Sequence, residues 1–289
     1  MIISFKLKPQ EEPLLRCYCH LDTVDSIGTT NTTQLIKIEE LTVSRTDFGV
    51  ATDNRHIYIV GGKLNGEITN LVERYDYDSK TWTTLPPLKY KLFGYGVIIV
   101  DRKLYVFGGS SGTIAYKCMQ VLDLDTNIWR LDYIEMRKCR VNPSVVHHNN
   151  YIYVVGGVMD ETFDPDPLFE KFDINDHRWE SSSESCWHRE IYSAIIFGDI
   201  LYMKSKFHTK TYSLKTEKMT DKGKTEYQKG YSLIFPHLDG MATVIRNDTK
   251  KLVVSRYNKK VQKWYQTQTH ETNSWITGCC SIPQLPYEL

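Results

Sequence analysis

An all-β chain of repeated sheets set radially around one axis is predicted by three observations. Double glycines recur at nearly constant spacing, as Gly61–Gly62, Gly108–Gly109 and Gly156–Gly157, at steps of 47 and 48 residues. Each closes a short apolar run: His56-Ile57-Tyr58-Ile59-Val60, Lys103-Leu104-Tyr105-Val106-Phe107 and Tyr151-Ile152-Tyr153-Val154-Val155. Each is followed by an aromatic or apolar residue with Asp, and a Trp stands seven residues beyond the first of that pair: Tyr75-Asp76 with Trp82, Leu122-Asp123 with Trp129, Phe172-Asp173 with Trp179. A unit near fifty residues long stacks on its own copies, so function belongs to loops and rim rather than to one catalytic motif.

Taken in order, residues 2–7 and 17–27 supply second and third strands of an incomplete first unit, and Leu35-Ile36-Lys37-Ile38 supplies its outer strand. Units over 45–90, 91–138 and 139–187 carry the full markers, with half-buried strands rich in Val, Ile, Tyr and Phe. The unit at 188–227 keeps Ile200-Leu201-Tyr202-Met203 and the seven-residue step from Tyr212 to Met219, but Ser205-Lys206 replace its glycines, so it should be the least regular. A further unit at 228–273 repeats the step from Tyr257 to Trp264. Residues 276–282 resemble an innermost strand with nothing after it; joined to residues 1–44 they close the ring and remove open sheet edges. The alternative is a five-unit array with a disordered start.

The pattern resembles the kelch repeat, most clearly at Tyr58-Ile59-Val60-Gly61-Gly62 and Tyr153-Val154-Val155-Gly156-Gly157. The resemblance implies a six-bladed β-propeller over 1–289, with one blade closed by N- and C-terminal strands. The chain resembles the kelch domain of kelch-like (BTB-kelch) substrate adaptors, and nothing in these residues corresponds to their BTB/BACK region. The fold hosts enzymes as well as binding proteins.

Composition narrows the classes. Net charge is +1, from 36 basic and 35 acidic residues, which supports neither nucleic-acid nor membrane binding by bulk charge. No run approaches the ~20 apolar residues of a membrane span, and Met1-Ile2-Ile3-Ser4-Phe5 lacks the form of a secretory signal. Seven cysteines, two pairs of them too close to bridge, fit reduced thiols in a cytoplasmic protein.

In a four-stranded antiparallel blade, the link between blades shares a face with the loop after each double glycine. Arg45, Lys91, Arg140 and Arg189 open four innermost strands, and Lys229 stands near the fifth, so radial geometry gathers them at one channel mouth. In the kelch-like adaptors, arginines at this position contact acidic segments of the bound protein, which the resemblance implies for Arg45, Arg140 and Arg189 here; Lys91 is a looser match. A ring of cations suits carboxylates. Equally, these side chains could bond to carbonyls at blade junctions. Phe163, at the tip of the acidic loop 159–167, is a further candidate anchor.

No constellation supports catalysis, a metal or a cofactor. His147-His148 point to opposite strand faces, Cys186-Trp187-His188 lacks an oxyanion site, and Cys17-Tyr18-Cys19 lacks the second pair a zinc site needs. The expected role is a protein-interaction module, a substrate-recognition propeller that would reach a cullin-RING ligase only through a domain not represented here. An actin- or cytoskeleton-binding kelch protein is the alternative. A copper radical oxidase is disfavoured for want of its Tyr, His and Cys ligand set.

Overall fold

The computed structural model describes residues 2–6, 16–24, 31–37 and 45–224 (except 46, 54, 133, 158–165, 184, 187–190 and 206–207), then 232–237, 240–246, 251–258 and 263–271. Every element among them is a strand or a turn, so none is a helix long and apolar enough to cross a membrane. An N-terminal sheet pairs Ile2–Lys6, Arg16–Val24 and Asn31–Lys37 in that order. Five four-stranded antiparallel sheets follow, numbered one to five below.

The first contains Gly49–Thr52, His56–Val60, Val72–Asp76 and Thr81–Leu85; the second Gly96–Val100, Lys103–Phe107, Met119–Asp123 and Ile128–Asp132. The third contains Ser144–His148, Tyr151–Val155, Phe169–Asp173 and Arg178–Ser181; the fourth Ile191–Phe197, Ile200–Ser205, His208–Ser213 and Met219–Lys224. Ser232–His237, Gly240–Arg246, Lys251–Asn258 and Lys263–Glu271 make the fifth. The first strand of each sheet lies beside that of the next, so the five fan out in sequence order from a shared inner edge. The closing segment, 276–282, lies outside the described residues.

The core sits between sheets rather than inside one. In the second sheet, Leu104 and Val106 pack back onto Tyr58 and Val60 of the first, while Tyr105 and Phe107 pack forward onto Ile152, Val154 and Phe172 of the third. The second strands are therefore buried on both faces, with only their first residue partly exposed. This corrects the half-buried expectation: a strand covered on both sides needs apolar residues in a continuous run, which these five-residue runs supply. Trp129 and Trp179 latch neighbours together, each indole N–H donating to a carbonyl of the preceding inter-sheet link, at Pro86 (2.7 Å) and Ile134 (2.9 Å).

Glycine ends the second strand for a steric reason. Gly108 has φ +65°, and a Cβ there would stand 2.3 Å from the Arg140 carbonyl oxygen; at Gly61, with φ +54°, it would strike the Tyr95 hydroxyl. Where glycine is lost, regularity goes with it. The fourth sheet runs its second strand on to Ser205 and carries two register shifts, at Ile191/Ser193 and His208/Lys210, while sheets one to three pair without any.

Candidate interaction face

Double-glycine loops and inter-sheet links do share one face, and backbone hydrogen bonds stitch them across sheets. Gly94 N–H donates to the Asp47 carbonyl (3.5 Å) and Asn142 N–H to the Gly94 carbonyl (2.7 Å). Asp47, Gly94 and Asn142 each stand two residues ahead of an innermost strand, with φ of 52°, 67° and 55°. Asp, Asn and Gly are the residues that tolerate this left-handed conformation.

Just behind that rim lie two of the arginines expected to meet a partner. Arg45 and Arg140 are 1% and 0% exposed. Arg45 donates to the Gly61 and Leu71 carbonyls (3.1 and 2.8 Å) and to the Glu73 carboxylate. Arg140 donates to the Gly156 and Pro167 carbonyls (2.6 and 3.1 Å) and to Glu170 (3.2 Å). A buried guanidinium that bonds two carbonyls and a carboxylate 0–1% exposed is not offered to a partner's carboxylate. Arg45 and Arg140 are thus internal braces, a correction to their assignment as partner-binding residues. Burial pushes the Arg45 guanidinium below and the Glu73 carboxyl above their usual ranges, and each charge opposes the other's shift.

Register shows why Lys91 matched loosely. Gly49, Gly96 and Ser144 pair with Val60, Phe107 and Val155, so the residues four positions earlier are equivalent: Arg45, Leu92 and Arg140. Glu73, Gln120 and Glu170 are likewise equivalent, opposite Ile59, Val106 and Val154. The second sheet thus holds buried Leu92 and Gln120 where its neighbours hold Arg and Glu. Gln120 Oε1 still accepts from Lys89 N–H (2.9 Å), as Glu170 accepts from the backbone at Arg137 and Lys138. Lys91, one residue off, points out and is exposed. Arg189, Lys229 and Phe163 lie outside the described residues.

What the face presents instead is centred on the second sheet. Tyr90 is 41% and Ile114 59% exposed, and the Tyr90 ring lies 6.0 Å from that of Tyr116. Lys89 and Lys91 flank Tyr90, both exposed and with no ion pair among the described residues. Towards the first sheet, Lys63 Nζ sits 3.6 Å from the Phe93 ring centroid and 3.1 Å from the Asp47 carboxylate. Spacing could not find Tyr90 and Ile114, because apolar residues in loops follow no period. Their signal was their isolation among turn-forming and charged neighbours. Among the described residues no group of three His, Cys, Asp or Glu side chains is placed to hold a metal.

A radial fan of four-stranded sheets with glycine-ended second strands and Trp latches defines a kelch-type β-propeller. Residues 23–228 match the family described as Attractin/LZTR1 beta-propeller, and the chain belongs to that family. Kelch-like protein 40 of Xenopus laevis is 27% identical over 213 residues, covering 72% of this chain and 33% of that protein. Kelch-like protein 15 of Danio rerio is 26% identical over 138 residues, 43% of this chain and 23% of its own length. Kelch repeat and BTB domain-containing protein 2 of Horsepox virus is 27% identical over 143 residues, 44% and 26% of the two lengths. The chain spans a third or less of these curated relatives.

Proposed function

We propose that this chain is a non-catalytic, cytoplasmic protein-interaction propeller of six blades, the sixth completed by residues 276–282. Its loop face receives an acidic protein segment that also carries an apolar residue. The observation behind this is the exposure of Tyr90 and Ile114 on that face, with Lys89 and Lys91 flanking Tyr90 and making no ion pair among the described residues. Large apolar groups at the centre of a patch supply most of the binding energy, and free cations at its edge select the sign of the partner. Arg189, Lys229 and Phe163, which lie outside the described residues, are part of the same proposal as further partner-binding residues. Likeness to kelch-like proteins supports a substrate-recognition role in a ubiquitin-ligase adaptor, with the cullin-RING ligase engaged through a region beyond this chain. Actin is a second candidate partner, since its filaments are acidic and suit the same lysines.

Affinity capture tests the assignment. A Tyr90→Ser/Lys91→Glu/Ile114→Ser variant should lose its bound proteins at least tenfold. Ile128→Ser, which trims a 60%-exposed side chain at the far end of the second sheet, should lose none. Equal recovery by the triple variant and wild type refutes the loop-face assignment, and co-sedimentation with filaments separates actin from other partners.

A further inference from the structure

The opposite face, formed by the short hairpin turns, holds a cleft between the second and third sheets. The equivalent positions of the first and third sheets carry a long cationic side chain. In each sheet, one residue of the third strand faces a tyrosine of the second and a residue of the fourth: Arg74 between Tyr58 and Thr83, Val121 between Tyr105 and Arg130, Lys171 between Tyr153 and Glu180. Arg74 hydrogen-bonds the Tyr58 hydroxyl, which itself donates to Asp53 (3.0 Å). Lys171 pairs with Glu180 at 3.0 Å and lies 4.4 Å from the Tyr151 ring centroid. In the second sheet the long cation is replaced by Val121, and a cleft of about 230 Å³ remains.

Its lining is specific in chemistry. Tyr105 and Phe172, 4% and 1% exposed with ring centroids 6.5 Å apart, make an aromatic floor. Lys103 stands at one wall and Arg130 at the other; Arg130 is exposed and makes no hydrogen bond or ion pair among the described residues. The Asp123 carboxylate is already committed to its own turn, accepting from Asp125 N–H (3.1 Å), Thr126 N–H (2.9 Å) and the Thr126 hydroxyl (3.0 Å). Two cations against one committed carboxylate favour a single negative charge, and the room exceeds the ~150 Å³ apolar cavity that takes a benzene ring.

We propose that this cleft binds a small aromatic monoanion, an aryl carboxylate whose ring rests on Tyr105 and Phe172 and whose charge lies between Lys103 and Arg130. Stacking and edge contacts to the floor select the ring, and the forked guanidinium selects the carboxylate. The site is independent of the loop face and of any protein partner there.

Ligand-observed NMR titration of the full chain with benzoate, benzamide and phenyl phosphate tests it. Benzoate should bind at least tenfold more tightly than neutral benzamide and no more weakly than phenyl phosphate. Val121→Arg, which installs the residue type of the first sheet, should abolish benzoate binding. Arg130→Thr, at an exposed site where the first sheet carries Thr83, should weaken it about tenfold and decides the matter if Val121→Arg does not fold. Benzamide binding as well as benzoate, unchanged binding by Arg130→Thr, or no benzoate binding by wild type would each overturn the proposal. A tenfold preference for phenyl phosphate would overturn it in favour of a phosphate site.

Discussion

The second and third sheets answer one repeat with different interiors. Behind the rim the third holds Arg140 with Glu170, and the second holds Leu92 with Gln120. Both positions change together, and both sheets keep the backbone contact to the inter-sheet link. The cation at the strand entrance therefore belongs to the carboxylate 30 residues further on, and the pair acts as one neutral unit that a nonpolar residue and an amide can replace. Its carbonyl acceptors tie the double-glycine turn to the third strand, so the brace holds the loops of the proposed interaction face.

The largest expected effect comes from splitting that unit. Arg140→Leu alone leaves Glu170 buried beside no guanidinium and should cost about 4 kcal/mol in urea unfolding. Adding Glu170→Gln recreates the second sheet's pair and should recover at least half of the loss; strictly additive losses would show that the two residues are uncoupled.

The fourth sheet sharpens the comparison from the other side. Lys204 pairs with Ser193 at the position held by Val60, Phe107 and Val155, and it is 7% exposed where those are at 0%. Burial lowers its pKa from 10.5 to about 8. The unfolded chain then binds more protons between those values, so stability should rise as pH climbs from about 8 to 10.5. Lys204→Val should stabilise the protein by about 2 kcal/mol at pH 7, with an advantage that shrinks by pH 10. A gap independent of pH would dissociate the effect from the lysine's charge.

A smaller effect separates the outer strands of the first and second sheets. Trp129→Phe removes the latch to Pro86 and should cost about 1 kcal/mol. Trp82→Phe should cost less, because the Trp82 indole N–H meets no acceptor among the described residues. Equal losses from the two would mean that ring volume, not the latch, carries the effect.

Much of the fold was legible because its markers are local. Gly108 and Gly61 announce strand ends since no side chain fits there, and the seven-residue step to Trp follows from a fixed hairpin between third and fourth strands. The loss of glycine at Ser205-Lys206 correctly marked the fourth sheet as irregular. The interaction face was harder to read. A cation at a strand entrance looks the same in sequence whether it meets solvent or Glu73, 28 residues away. The exchange of Arg and Glu for Leu and Gln within the repeat was the clue that these positions are partners.

One paired measurement tests the central claim, that inner cations brace the fold while outer ones meet the partner. Melting temperature and partner capture would be recorded together for Arg140→Leu and Lys91→Glu. A lowered melting temperature for Arg140→Leu, with Lys91→Glu melting like wild type but losing its captured protein, is the predicted result. Normal melting with lost capture for Arg140→Leu, and full capture by Lys91→Glu, would contradict it.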